Sequence, residues 1–218
     1  MKKTIIAAAC LLFVVLSVAG CSTKSDANLD NFTVGMNDYL AKKGDLCLAK
    51  YSWPIDVTPQ ENAAGGRNAL QMPVLEKVGL LRSTMTEVAQ KDAETGARTG
   101  VMLTVKRYEL NAAGKKYYVT KEMRSPTSDG SILVHQGDFC AAKLTLDKVV
   151  GWELSKSDKG AQEALVTYTY KIDAAPWTRD AEVQKVFPMV ARIVTGAGTM
   201  QLQESFHKTD KGWVAANL

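Results

Sequence analysis

The spacing of apolar residues changes several times along this chain. Residues 5–18 are almost wholly apolar, preceded by Lys2, Lys3 and Thr4 and interrupted only by Ser17. Residues 22–30 are polar. A helical stripe follows, with Phe32, Met36, Tyr39 and Leu40 on one face, Asp30 or Asn31 available as an N-cap, and Gly44 placed to end the helix. Such a face covers a sheet or receives a partner. The run Gly44-Asp45-Leu46-Cys47-Leu48-Ala49-Lys50 then opens an expected strand that continues through Tyr51 and Trp53. The run Pro-Gln-Glu-Asn-Ala-Ala-Gly-Gly-Arg, residues 59–67, reads as a mobile loop. Asn68 then caps a second predicted helix, with Leu70, Val74, Leu75 and Val78 on its apolar face and Gly79 at its end. Pro73 is tolerable there only near the start. Strands are predicted over 84–89, 101–110 and 115–123, the last two joined by a turn at Asn111-Ala112-Ala113-Gly114 in which Gly114 supplies a positive φ.

The second half alternates with period two. Strands are predicted over 131–146, 149–154 and 164–172, the last containing Leu165-Val166-Thr167-Tyr168-Thr169-Tyr170. Ala175-Pro176-Trp177 breaks the pattern. Thr178 or Asp180 caps a short helix reaching Phe187. Residues 189–206 read as one long strand bulged at Gly196 and Gly198, and Asp210-Lys211-Gly212 turns into Trp213-Val214. The sum is an α+β protein, mainly antiparallel sheet with two or three helices. The predicted organisation is a leader over 1–20, a lipid-bearing tether over 21–30, an N-terminal α+β subdomain over 31–125 and a C-terminal β-rich subdomain over 126–218.

Two segments echo each other. Gly44-Asp45-Leu46-Cys47-Leu48-Ala49-Lys50 and Gly137-Asp138-Phe139-Cys140-Ala141-Ala142-Lys143 share Gly-Asp-(apolar)-Cys-x-Ala-Lys. Duplication of two related subdomains is one reading; coincidence over seven residues is the other.

The positive start, apolar run and small residues of 1–20 form an export signal, too short for a comfortable membrane span. The join Val18-Ala19-Gly20-Cys21 resembles the lipobox of bacterial lipoproteins. That resemblance implies a diacylglycerol thioether on Cys21, which becomes the new N-terminus. Ser22, where an aspartate resembles an inner-membrane retention signal, implies the outer membrane, periplasmic face. Cys47 and Cys140 are the cysteines left beyond the leader and Cys21. In an oxidising compartment they are expected as a disulfide, the alternative being a reactive thiol.

Removing the leader leaves 198 residues near +2, from a full chain of +4. This balance argues neither for nucleic acid nor for charge-driven lipid binding. One stretch, Leu75-Glu76-Lys77-Val78-Gly79-Leu80-Leu81 followed by Tyr108-Glu109-Leu110-Asn111 and Gly114-Lys115-Lys116, resembles the winged-helix pattern of a helix followed by a β-wing. In a DNA reader the helix would carry basic groups. The segment before Gly79 has few, and the chain is exported, so no nucleic-acid partner is expected.

Catalytic signals are sparse. His135 and His207 stand alone, without the His-x-x-x-His or Cys-x-x-Cys spacing of a metal site, and no Gly-x-Ser-x-Gly elbow occurs. Gly196-Ala197-Gly198 lacks the longer phosphate-loop pattern. Asp45 and Asp138 would form a carboxylate pair if the echoed segments lie together; otherwise each caps a turn. No cofactor and no metal are expected. Trp177, after Pro176, is a candidate partner contact if a loop exposes it and a core residue if not. The expected role is a non-catalytic envelope protein, anchored to the membrane through Cys21, that binds or scaffolds another envelope component. The alternatives are a periplasmic hydrolase or a module binding a small ligand or inhibitor.

Overall fold

The computed structural model describes residues 23–92, 95–127 and 129–218. The predicted leader, the predicted lipid site Cys21, Ser22, Ala93, Glu94 and Ser128 fall outside these. The fold is α+β and mainly antiparallel. Its principal sheet runs β1 (Asp45–Cys47), β8 (Asp138–Lys156), β9 (Gln162–Ala174), β10 (Leu202–Thr209) and β11 (Gly212–Ala215), with β5 (Tyr118–Val119) also paired to β8. A second sheet has the order β2 (Ile55–Val57), β4 (Arg98–Leu110), β3 (Leu81–Lys91). A separate hairpin joins β6 (Met123–Pro126) to β7 (Ile132–His135).

Helix α1 (Leu29–Lys43) covers the principal sheet, as its stripe predicts. Its cap is Asn28, whose side-chain oxygen accepts from the Asn31 amide at 2.9 Å. Phe32, Met36 and Leu40 are buried. The Phe32 ring lies 5.0 Å from Trp152 and 4.9 Å from Trp213 and meets Phe206 edge-on, so four aromatics close one core. Gly44 ends the helix because of crowding, not handedness. A Cβ there would stand 2.4 Å from the Leu40 carbonyl oxygen and 2.5 Å from that of Leu144. The same approach lets the Leu144 amide donate to the Gly44 carbonyl at 2.7 Å.

Residues 23–28 are not a loose tether. Thr23 donates from its amide and hydroxyl to the two Asp26 carboxylate oxygens, each at 2.7 Å. The Asn31 amide group donates to the Thr23 and Asp26 carbonyls, and the Trp213 indole donates to Asp26 O. This segment is stitched to α1 and β11.

The run 59–67 also corrects its expectation. It holds helix α2 (Pro59–Ala63), started by Pro59 at the first position and capped by the Thr58 hydroxyl, which accepts from Glu61 N at 3.0 Å. Helix α3 (Arg67–Lys77) begins two residues earlier than expected, capped at Gly66 instead of Asn68, and carries Pro73 inside. Its buried face is Ala69, Met72 and Leu75, with Leu70 turned to solvent. The hairpin β3–β4 follows, with β2 as its third strand, so the helix-then-wing order of the resembled pattern is present. Gly114 opens a short 3₁₀ turn, Gly114–Tyr117, instead of a hairpin, leaving two strand residues in β5. The Asn111 side chain accepts from the Ala113 and Gly114 amides, and a Gly114 Cβ would sit 2.1 Å from Leu80 O.

Strands predicted over 131–146 and 149–154 are largely one, β8. Asp147-Lys148 resembles a break in the sequence, yet the register merely slips between Leu146 and Lys148 and between Val149 and Gly151. Residues 189–206 are not one strand. Helices α4 (Ala181–Val186) and α5 (Pro188–Thr195) precede a turn, and β10 starts at Leu202. Pro188 favours a helix start, and Val190 with Ile193 and Val194 packs at helical spacing onto the cores.

Two hydrophobic cores result. One gathers Met72, Leu75, Tyr108, Phe139, Trp177 and Val183. The other gathers Phe32, Met36, Val166, Tyr170, Phe206 and Trp213. Each draws on both sides of residues 125 and 126, so the core does not divide at the expected subdomain boundary. The reason is that β1 and α1, early in sequence, pack onto β8, late in sequence.

Candidate functional site

The echoed segments meet. Strand β1 lies antiparallel to the start of β8, with Asp45 opposite Lys143, Leu46 opposite Ala142 and Cys47 opposite Cys140. The two cysteines form a disulfide. The motif spacing explains the pairing. Antiparallel alignment of two Asp-x-Cys-x-Ala-Lys runs puts each aspartate beside the other run's lysine. Asp45 takes Lys143 at 3.3 Å and Lys121 closer still. Asp138 accepts from the Lys50 backbone amide at 2.7 Å and from Ala49 at 3.2 Å. The two aspartates therefore serve separate partners, not a shared proton.

Beyond Cys47 the chain turns sharply. Ala49 adopts φ 57, a left-handed conformation costly for a residue with a Cβ. That turn aims the amides of Ala49 and Lys50 at one carboxylate, which Phe139 N also serves at 2.7 Å. Asp138 is 4 % exposed. Its burial raises the carboxyl above its usual value, against the opposing pull of those amides and of His135. Lys50 is equally buried, with Nζ donating to Asn68 Oδ1 at 2.7 Å. Burial, helped by the Arg67 charge, lowers its ammonium to about 8, while Asp138 and Glu61 pull the other way. The His135 ring stacks on Tyr51 with centroids 3.9 Å apart, and its Nδ1 lies 2.8 Å from the Gly137 carbonyl oxygen. The Tyr118 hydroxyl donates to Tyr51 O at 2.6 Å.

This knot forms the floor of an open cleft of about 800 Å³. The C-terminal end of α1, residues 41–43, makes one wall. Lys121, Met123 and Arg124 make another, and Asn217-Leu218 closes an end. Lysine and arginine face Asp45, Asp138 and Glu122 across it. The cleft is polar and mixed in sign, suited to a peptide or protein loop bearing both charges. It does not resemble an enclosed apolar pocket.

The other sequence candidates are dispersed. His207 is exposed on β10 and lies opposite Val214 and Glu163. Trp177 is buried, with its ring 5.7 Å from Phe139 and 5.8 Å from Tyr117, so it is a core residue. Its place on a break after Pro176 resembled an exposed loop, but the 3₁₀ turn Pro176–Arg179 folds it inward. Among the described residues no group of three or more His, Cys, Asp or Glu is placed to hold a metal ion.

Sequence reasoning missed the hairpin beside the cleft. Ile132, Leu133 and Val134 are 63 %, 39 % and 49 % exposed in succession on β7. Their apolar run was visible in the sequence, but it read as part of the longer strand expected over 131–146. No family model, curated protein or solved structure matches the chain.

Proposed function

We propose that the mature chain is a lipoprotein held by Cys21 on the periplasmic face of the outer membrane, where it binds another envelope protein without catalysing a reaction on it. The leader ending Val18-Ala19-Gly20-Cys21 carries the location. The Cys47–Cys140 disulfide is consistent with an oxidising compartment.

The binding role rests on the hairpin β6–β7. Exposed apolar residues on both faces of a two-stranded ribbon, Ile132 and Val134 on one and Leu133 on the other, gain nothing by folding alone and resemble an interaction surface. Its strand β6 also walls the charged cleft, so apolar and ionic contacts lie side by side. An apolar centre with a polar rim is the usual anatomy of a protein interface. A second reading, a small-ligand site in the cleft, is favoured by the cleft volume alone, which lies within the usual range for ligand pockets.

Crosslinking and pull-down from native-host membranes test the main reading. Leu133→Asp is expected to lose the captured protein while leaving the thermal midpoint unchanged, because Leu133 supports no core. Full capture by Leu133→Asp would remove the hairpin from the interface. Absence of palmitate label on the wild-type chain, or label that persists in Cys21→Ser, would overturn the location.

A further inference from the structure

The described chain begins almost where the proposed lipid is attached, and it begins fixed. Thr23 and Asp26 are tied to each other, to Asn31 of α1 and through the Asp26 carbonyl to the Trp213 indole. The Lys24 carbonyl packs so close to Gly212 that a Cβ there would stand 2.9 Å from it. Cys21 precedes Thr23 by two residues. Whatever conformation Ser22 takes, two residues span at most about 7 Å. The headgroup layer of a bilayer is itself roughly 5–8 Å thick on each side. The slack is used up inside that layer.

Which face this presses to the lipid follows from the neighbours of Ser25. It borders two turns of the principal sheet, one joining β8 to β9 and one joining β10 to β11. These turns and their flanks carry Lys156, Lys159, Lys208 and Lys211, with Lys24 between them, all exposed. Leu154, 58 % exposed, stands beside them. Asp158, Asp210 and Glu163 share the surface, so its charge excess is small; the leash, not the charge, selects the face.

We infer that this end of the sheet, with Lys24, Lys156, Lys159, Lys208 and Lys211, is a membrane-contact face seated among lipid phosphates. The inference rests on the lipoprotein reading above. Lysine ammonium groups can sit at phosphate level while their stems cover apolar surface. The far end of α1, which walls the charged cleft, is then about 22 Å of helix away from the tethered end. Seated this way, the protein is held at a fixed tilt instead of swinging freely, with its cleft at the end of α1 opposite the tethered one.

The test is lysine footprinting of the lipidated full-length mature protein in vesicles of phosphatidylethanolamine and phosphatidylglycerol. Sulfo-NHS acetate labels each amine, and mass spectrometry reads every site and the mass of the Cys21 peptide together. Lys24, Lys156, Lys159, Lys208 and Lys211 are expected to label several-fold more slowly than Lys43 and Lys115. A second variant inserts about 12 Gly/Ser residues between Ser22 and Thr23, a reach of roughly 19 Å. It is expected to restore their labelling. Equal rates at all seven lysines with Cys21 acylated would overturn the seated face and leave the lipoprotein reading standing. Protection that survives the insertion would overturn the leash as its cause. An unacylated Cys21 peptide would overturn both.

Discussion

Replacing Cys47 and Cys140 by alanine together should cost this protein much of its stability. The disulfide spans a sequence separation of 93 residues. In the chain-entropy treatment, closing a loop of that length restricts the unfolded chain by about 4.6 kcal/mol at 25 °C. A typical domain has only about 5–15 kcal/mol in total. The native contacts nearby do not depend on the sulfur bridge. Leu48 N donates to Phe139 O at 2.9 Å and Leu144 N to Gly44 O at 2.7 Å, backbone bonds that involve neither sulfur and should keep the strands in register. The loss should therefore come from a freer unfolded state. Guanidinium unfolding of the oxidised wild type, the reduced wild type and the double-alanine variant measures it. Both disulfide-free states should lose about 4–5 kcal/mol relative to the oxidised protein, with an unchanged native amide-exchange pattern. A loss below about 1 kcal/mol in both would refute loop closure as the source of stabilisation.

Three further outcomes are expected. Gly44→Ala forces a Cβ against the Leu40 and Leu144 carbonyl oxygens and should destabilise by roughly 1–3 kcal/mol, whereas a neutral result in chemical denaturation would show that α1 can shift on β8. Phe32→Ala empties the centre of the four-aromatic cluster and should cost about 3–5 kcal/mol in the same assay. For pH, Lys50 titrates near 8 when folded and near 10.5 when unfolded, so the unfolded chain holds more protons between those values and stability rises with pH there. Tyr168, pushed up to about 12 by burial, and Tyr39, pushed higher still, act oppositely above about 10, because the unfolded phenols ionise first. A stability maximum is expected near pH 10, and a Lys50→Met variant that keeps the same rising slope would refute the assignment.

Local patterns succeeded where one face of an element meets one layer. Phe32, Met36 and Leu40 recur at helical spacing because α1 has a single buried side, and the alternation of residues 165–170 survives in β9 because neighbouring side chains face opposite sides of the sheet. They failed where a local signal competed with packing. Asp147-Lys148 looked like a strand end, but the Asp147 side chain accepts from the Thr169 hydroxyl at 2.9 Å across β9, which keeps the bulged strand continuous. Residues 188–195 are apolar enough for a strand, and Pro188 at the helix start together with packing onto the neighbouring cores selects the helix.

The candidate site divides the same way. The seven-residue echo and the two cysteines were legible, and with them the chemistry of a disulfide. Their antiparallel juxtaposition, the burial of Lys50 and Asp138, the left-handed turn at Ala49 and the inward placement of Trp177 were not. The sequence by itself determined the α+β class and the residues able to pair, because these follow from composition and nearest-neighbour spacing. Only the tertiary structure decided which segments of distant sequence share a sheet. Strand pairing between residues about ninety positions apart depends on whole-chain packing, which no local window contains.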